Sequence, residues 1–489
     1  MSTATTSGSS RASDAGTGGR TGQRGRVEHP SRTERAARGK AARAESSRSA
    51  HGRWEPPAGR RDPVEVLEAE AQTRLPELVP IRHGRMLASP FTFYRGTAAL
   101  MAADLATMPS TRLHVQLCGD AHLSNFGGFA APDRRLIFGL NDFDETLRGP
   151  FEWDVKRLVA SFAVAGRDRG FKARQREPVN LTVGRSYREA MSAFAEMRAL
   201  DLWYARVDVE ELATLWAPRA TAKQRQRFNR NVAKARTKDS RRASDRLTRV
   251  VDGQPRIISD PPLIVPIEEL LPAGERASLE DMVRSMIRSY RRTLPSDRRH
   301  LLERFHYADA ARKVVGVGSV GTRAWIVLML GTDDRDPLFL QLKEAAPSVL
   351  EPYLGKSKFT HHGQRVVEGQ RLMQAASDIM LGWVRTPEID GAQRDFYIRQ
   401  LWDGKGSAVI EAMEPSAMVA YAELCGWTLA RAHARSGDAV AIAAYLGSGG
   451  AFDRALASFA EDYADQNERD YGAFRDAIDS GRIAAQTGL

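Results

Sequence analysis

Between Val115 and Glu145 the chain reads VQLCGDAHLSNFGGFAAPDRRLIFGLNDFDE, two short apolar runs with a dense polar cluster set among them. Runs of this kind, bounded by Gly, Asp, Asn and Pro, read as buried strands joined by turns. Asp120, His122, Asn125, Asp142, Asp144 and Glu145 therefore fall at strand ends, inside apolar walls. Charged groups are costly there unless they are paired or hold a ligand. The bland alternative is an Asx-rich turn, since Asp, Asn and Gly also favour turns.

The rest of the chain has to supply those walls. A capping Asp62 with Pro63 behind it opens DPVEVLEAEAQTRL, and SPFTFYRGTAALMAADLATM leads into a second amphipathic helix. From Trp153 to about Trp216 the apolar spacing is helical, and the segment after it also reads as helix. Near Tyr307 the texture changes: KVVGVGSVGTRAWIVLML and PLFLQLKEA alternate in the strand period. Helices resume with QRVVEGQRLMQAASDIML, a strand DFYIRQLWD follows, and the chain closes with two helical stretches, AYAELCGWTLARAHARS and FDRALASFAEDYADQNERDYGAF. The expected class is α+β, in 489 residues that can bury more than one core.

The formal charge of +11 is unevenly distributed. Residues 1–61 hold 13 Lys or Arg against five Asp or Glu and almost no large apolar side chains. Such a segment cannot offset its ordering entropy by burial and is expected to be a disordered basic tail. A second surplus lies in 219–249, and without these two segments the body is mildly acidic. Either segment could contact nucleic acid, but a solvated helical face explains 219–249 better, because Phe228 is its only aromatic. The two cysteines, Cys118 and Cys425, lack metal-ligand spacing, and no apolar run is long enough to span a membrane. A cytoplasmic protein is the expectation.

Asp120 and Asn125 are five apart in a loop leaving a strand, and Asp142 follows 17 residues later at the end of another. That set suits phosphoryl transfer. Mg²⁺ prefers oxygen ligands such as a carboxylate and an amide carbonyl, and a further carboxylate orients the attacking hydroxyl. Asp120 fits the last role, and Asn125 and Asp142 the first, with Asp144 beside them. Far downstream, Gly316, Gly318 and Gly321 have G-x-G-x-x-G spacing. A dinucleotide turn would need a helix next. The sequel TRAWIVLML is strand-like, so the better reading is a hairpin whose glycine tip covers phosphates. Lys343 sits 22 residues past Gly321 inside an apolar strand, where an anionic partner would compensate its desolvation. Glu368 is the candidate helix glutamate for it, with Glu344 and Glu351 also near in sequence. Arg95 could reach the same site or stack on local aromatics.

GDAHLSN, LNDFDE and RGPFEWDVKRLVAS together resemble the catalytic region of the aminoglycoside phosphotransferase and choline kinase branch of the protein-kinase-like superfamily. The resemblance implies that Asp120 is the catalytic aspartate and that Asn125 and Asp142 hold the metal. It also implies that Asp154 braces the loop and that His122 is a bracing histidine rather than a ligand. Cys118 and Asn141 depart from that branch's usual residues. CGWTLARAHARS resembles the helix that normally precedes the catalytic loop, yet lies near the C-terminus, so a circularly permuted order is implied. His433 within it reads as a satisfied core histidine. Over roughly 62–475 the chain is similar to an uncharacterised bacterial family, domain-of-unknown-function family twenty-two fifty-two, which brings no substrate.

The expectations are therefore as follows: a basic tail over 1–61, a helical lobe with the catalytic loop over 62–305, a β-rich nucleotide lobe over 306–410, and helices completing the first lobe over 411–489. The expected activity is an ATP- and Mg²⁺-dependent phosphotransferase of two-lobed kinase-like fold, with catalytic Asp120, His122 and Lys343 and an unknown small-molecule acceptor. A metal-dependent phosphohydrolase or nucleotidyl transferase at the same site is one alternative. A non-catalytic nucleotide-binding or nucleic-acid-associated protein is another.

Overall fold

The computed structural model describes residues 29–216, 221–270, 276–314, 316–387 and 391–488. It is a mixed α+β structure with several antiparallel sheets. Two bodies of core meet at a junction with polar contacts. The larger is helical: Phe151–Asp168, Ala173–Glu196, Pro415–Ser436 and Ala451–Asp479 pack around Leu158, Val183, Leu429 and Phe459. The smaller is built on a six-stranded antiparallel sheet. Its spatial order is Gly382–Pro387, Gln393–Gln400, Pro337–Glu344, Ala324–Leu330, His306–Lys313 and Ile264–Pro266.

Period-two alternation gives the sheet two different faces. Trp325, Val327, Leu338, Leu340, Leu342, Phe396 and Ile398 point one way, onto Val283 and Tyr290 of the helix Arg276–Arg291. Ile326, Leu328 and Phe339 point the other way, onto Ala243, Leu247 and Ile257. Toward the junction this second face turns polar. Lys343 stands opposite Tyr397, and Gln341 opposite Arg399, in adjacent strands.

Residues 243–270 and 276–302 therefore belong with the sheet, not with the helical body in which a boundary at 305/306 would leave them. Ile264–Pro266 extends the sheet beside His306–Lys313, and Leu302 packs into its core. The expected disordered tail is also corrected for residues 29–61. Ser31 and Glu34 form a capping box at the start of the helix Arg32–Glu45. Gly39 lets that helix approach Ala441 so closely that an added Cβ would lie 1.9 Å from its carbonyl oxygen. The arginines that suggested a solvated tail are used internally. Arg35 and Arg38 pair with Asp438, while Arg43 and Arg48 donate to the carbonyls of Tyr445 and Leu446 at the end of the helix Ala439–Leu446. Helix C-termini offer such unpaired carbonyls and a negative partial charge. Residues 1–28 and the start of the 219–249 segment lie outside the described residues. The rest of that segment forms the helices Ala222–Arg236 and Ser240–Leu247. Among the described residues no helix is long and apolar enough to cross a membrane.

Candidate functional site

The loop after the strand His114–Leu117 is held by one face of one helix. Phe151–Asp168 presents Asp154, Arg157 and Ser161, spaced i, i+3, i+7 along the same side. Asp154 accepts from the backbone N–H of Cys118 (2.8 Å) and of Gly119 (3.0 Å). Arg157 donates to the Oδ1 of Asp120 at 2.9 Å. Ser161 accepts from the N–H of Leu123 at 3.0 Å. Behind them His433, fully buried, lies 3.2 Å from Asp154 through Nε2 and 2.8 Å from the Tyr187 hydroxyl through Nδ1. Gly119 makes the turn at φ +84°, where a side chain would also strike the Glu145 carbonyl.

Within this loop the Asn125 amide nitrogen donates to the Asp120 carbonyl at 2.8 Å, and among the described residues nothing donates to the Asn125 side-chain oxygen. The Asn125 carbonyl in turn accepts from Asn141 N–H at 2.9 Å, so Asn125 lies against the residue that precedes Asp142. The two come together because Phe126–Ala130 and Leu136–Leu140 form a hairpin in register, Phe126 opposite Leu140. Burial raises the Asp120 carboxyl above its ordinary range, and Arg157 offsets only part of that. Burial would raise Asp142 too, but Lys343, Arg399 and Lys405 outweigh it and hold that carboxyl below its ordinary range. His122 is kept neutral by burial and by the nearby Arg95 and Arg157. Its Nε2 lies 3.6 Å from Asp120, and its buried Nδ1 has no hydrogen-bond partner among the described residues.

The polar end of the sheet closes over these carboxylates. Lys343, 3 % exposed, bonds Asp144 and lies 3.9 Å from Asp142. Tyr397 donates to the other Asp144 oxygen at 2.8 Å. Arg399 donates to Gln341 and to the Asn141 carbonyl, each at 3.2 Å. The carboxylates raise the Lys343 ammonium against the opposing effect of burial, so the lysine stays charged.

The glycines occupy a strand–loop–strand hairpin between His306–Lys313 and Ala324–Leu330. Gly316 and Gly321 have positive φ, +61° and +88°. Ser319 at its tip lies 3.5 Å from Asp144. The outside of the loop is tied down: Arg85 donates to the Gly316 carbonyl, Arg74 to that of Val320, and Leu75 N–H to that of Gly321. At Gly318 a Cβ would sit 3.3 Å from the Arg95 carbonyl oxygen.

Asp120, Asn125, Asp142, Asp144 and Lys343 are thus brought together, with the tip of the glycine hairpin reaching Asp144 through Ser319. Glu368 is not joined to Lys343. It pairs with Arg371 one turn along its own helix, and the lysine takes Asp144 and Asp142 instead. The nearby basic residue on that helix, Arg365, donates to the carbonyls of Asp144, Thr146 and Ala346. Glu344 pairs with Arg323 and Arg394. Sequence reading missed Arg157, Ser161, Tyr397 and Arg399. The polar i, i+3, i+7 row in an apolar helix and the two-residue spacing of Tyr397 and Arg399 were the available signals. Among the described residues no group of three or more His, Cys, Asp or Glu side chains gathers to hold a metal ion.

A family model described as an uncharacterized protein conserved in bacteria, DUF2252, matches residues 74–477. No curated protein and no solved structure matches the chain.

Proposed function

The chain belongs to that bacterial family, and for it we propose an ATP- and Mg²⁺-dependent phosphotransferase acting on the hydroxyl of a small molecule. The observation that carries the reading is the junction at Asp142 and Asp144, where Lys343 and the tip of the glycine hairpin meet the hairpin that follows Asp120. Support comes also from the order of parts in the sheet body. A glycine hairpin is followed by a strand bearing the lysine, then by a helix, His362–Met373, then by two more strands. Kinases place their phosphate-covering loop and lysine in the same succession. The catalytic loop stands nearly two hundred residues before the glycines, so the proposal includes a permuted, two-lobed kinase-like arrangement.

The donor set fits Mg²⁺: a carboxylate kept ionised by surrounding cations and an amide oxygen that accepts no hydrogen bond from the described residues. Asn125 and Asp142 would hold the ion, which when bound neutralises phosphoryl oxygens. Asp120, oriented by Arg157, accepts the proton of the acceptor hydroxyl. Lys343 exchanges its bond to Asp144 for the nucleotide phosphates, and the glycines let backbone N–H groups approach them. His122 braces Asp120 as a neutral ring.

Titration with ATP and Mg²⁺ tests this. At a hundredfold excess over Kd the ligand should add about 2.7 kcal/mol of stability, read as a rise in melting temperature. Lys343→Ala and Asp142→Asn should each lose most of that rise. Asp120→Asn should keep it while abolishing ADP release. A wild-type protein whose melting is indifferent to ATP and Mg²⁺ would end the proposal.

A further inference from the structure

Arg95 follows the short helix Pro90–Tyr94 and stands where the glycine hairpin meets the catalytic loop. Its neighbour Arg157 is fully engaged. Arg157 stacks on the Tyr94 ring with its guanidinium 3.9 Å from the centroid, donates to the Tyr94 carbonyl at 2.7 Å, and binds Asp120. The aromatic stacking open to an arginine here is thus taken by Arg157. Arg95 itself makes no hydrogen bond or ion pair from its guanidinium among the described residues, and its Nε is buried without a partner. The anions its charge feels are Asp120, Glu411 and Asp142, none close enough to pair. A largely buried cation near carboxylates it does not pair with still has its donors to offer an oxyanion.

We propose that Arg95 grips the phosphoryl group in transit, an arginine supplied in cis by the segment preceding the catalytic loop. The inference rests on the phosphotransferase reading. In the step it serves, the bond from the γ-phosphorus to the β–γ bridging oxygen breaks and ADP leaves with those electrons. The acceptor oxygen forms the new bond to phosphorus, and its proton passes to Asp120. Charge on the three remaining phosphoryl oxygens lies against Arg95, while Lys343 serves the phosphates nearer the sheet. An arginine so placed adds hydrogen bonds to a group that ADP does not carry.

The test is calorimetric titration of the full chain, with Mg²⁺, by ADP and by the non-hydrolysable β,γ-imido analogue of ATP. Wild type should bind the triphosphate analogue more tightly than ADP. Arg95→Ala should weaken the analogue about tenfold, the worth of one charge-assisted hydrogen bond, and leave ADP within about twofold. Arg95→Lys should recover part of the loss. The melting temperature of unliganded Arg95→Ala should stay close to that of wild type, since no bond inside the protein is removed. Equal weakening of both nucleotides, or of neither, overturns the role of Arg95 while leaving the phosphotransferase reading in place. Failure of wild type to bind either nucleotide overturns both.

Discussion

Asp154 shows how much a single buried carboxylate does here: two backbone N–H groups and His433 converge on it. Replacing it with Ala leaves all three without their acceptor and should cost about 3–5 kcal/mol, measured by denaturant unfolding, with the proposed phosphoryl transfer lost as the loop loosens. Glu145 makes a different prediction. Burial pushes its carboxyl up to about 7, and Arg365 and the Val349 N–H only partly counter this. The folded state therefore holds that proton more tightly than the unfolded chain does. Its contribution to stability is complete below about pH 4.5 and fades as pH rises through about 7. Glu145→Gln should thus melt higher than wild type at pH 8 and no higher at pH 5, by scanning calorimetry. The Asp120, Asn125 and Asp142 positions could be read from sequence because loop chemistry and spacing are local. Arg157 could not, since its meaning depends on which helix face turns toward that loop.

The helix Arg32–Glu45 is an element that composition misread. A basic, glycine-containing segment has too little apolar surface to fold alone, and counting charges treats every arginine as solvated. Its order comes from partners elsewhere in the sequence, Asp438 and the carbonyls at the end of Ala439–Leu446. Gly39→Ala tests this docking. In an isolated helix the change would stabilise by about 1 kcal/mol. Here the new methyl meets the Ala441 carbonyl, so the variant should melt lower than wild type. Residues 243–270 and 276–302 hid their allegiance for a similar reason. Short strands and helices carry little signal of what they pack against, and only pairing with His306–Lys313 and packing on the faces of the sheet assign them to it.

Across the whole molecule, the two bodies share charges as well as core, since Val366, Val367, Met373, Leu381 and Tyr397 of the sheet side pack into the helical core. Lys343, Tyr397 and Arg399 belong to the sheet, and their partners Asp144 and Asn141 to the other side. A nucleotide seated between them should slow amide hydrogen exchange on both sides together, in 120–146 and in 316–344. Slowing confined to one side would place the ligand elsewhere. The α+β class followed from the change of texture near Tyr307. The meeting of the halves did not, because charges nearly two hundred residues apart carry no pattern that links them.

The chain that leaves the sheet after Gln400 does not cross to the helical body as a loose thread. Gly406 and Ser407 pair with Gly128 and Gly127, adding an edge to the hairpin that ends at Asp142. Gly127 admits this contact because a methyl there would lie 2.4 Å from the Gly406 oxygen and 2.8 Å from the Asn141 amide nitrogen. The segment that leaves the sheet is thereby tied, by backbone pairing, to the same hairpin that delivers Asp142 to the junction of the two halves.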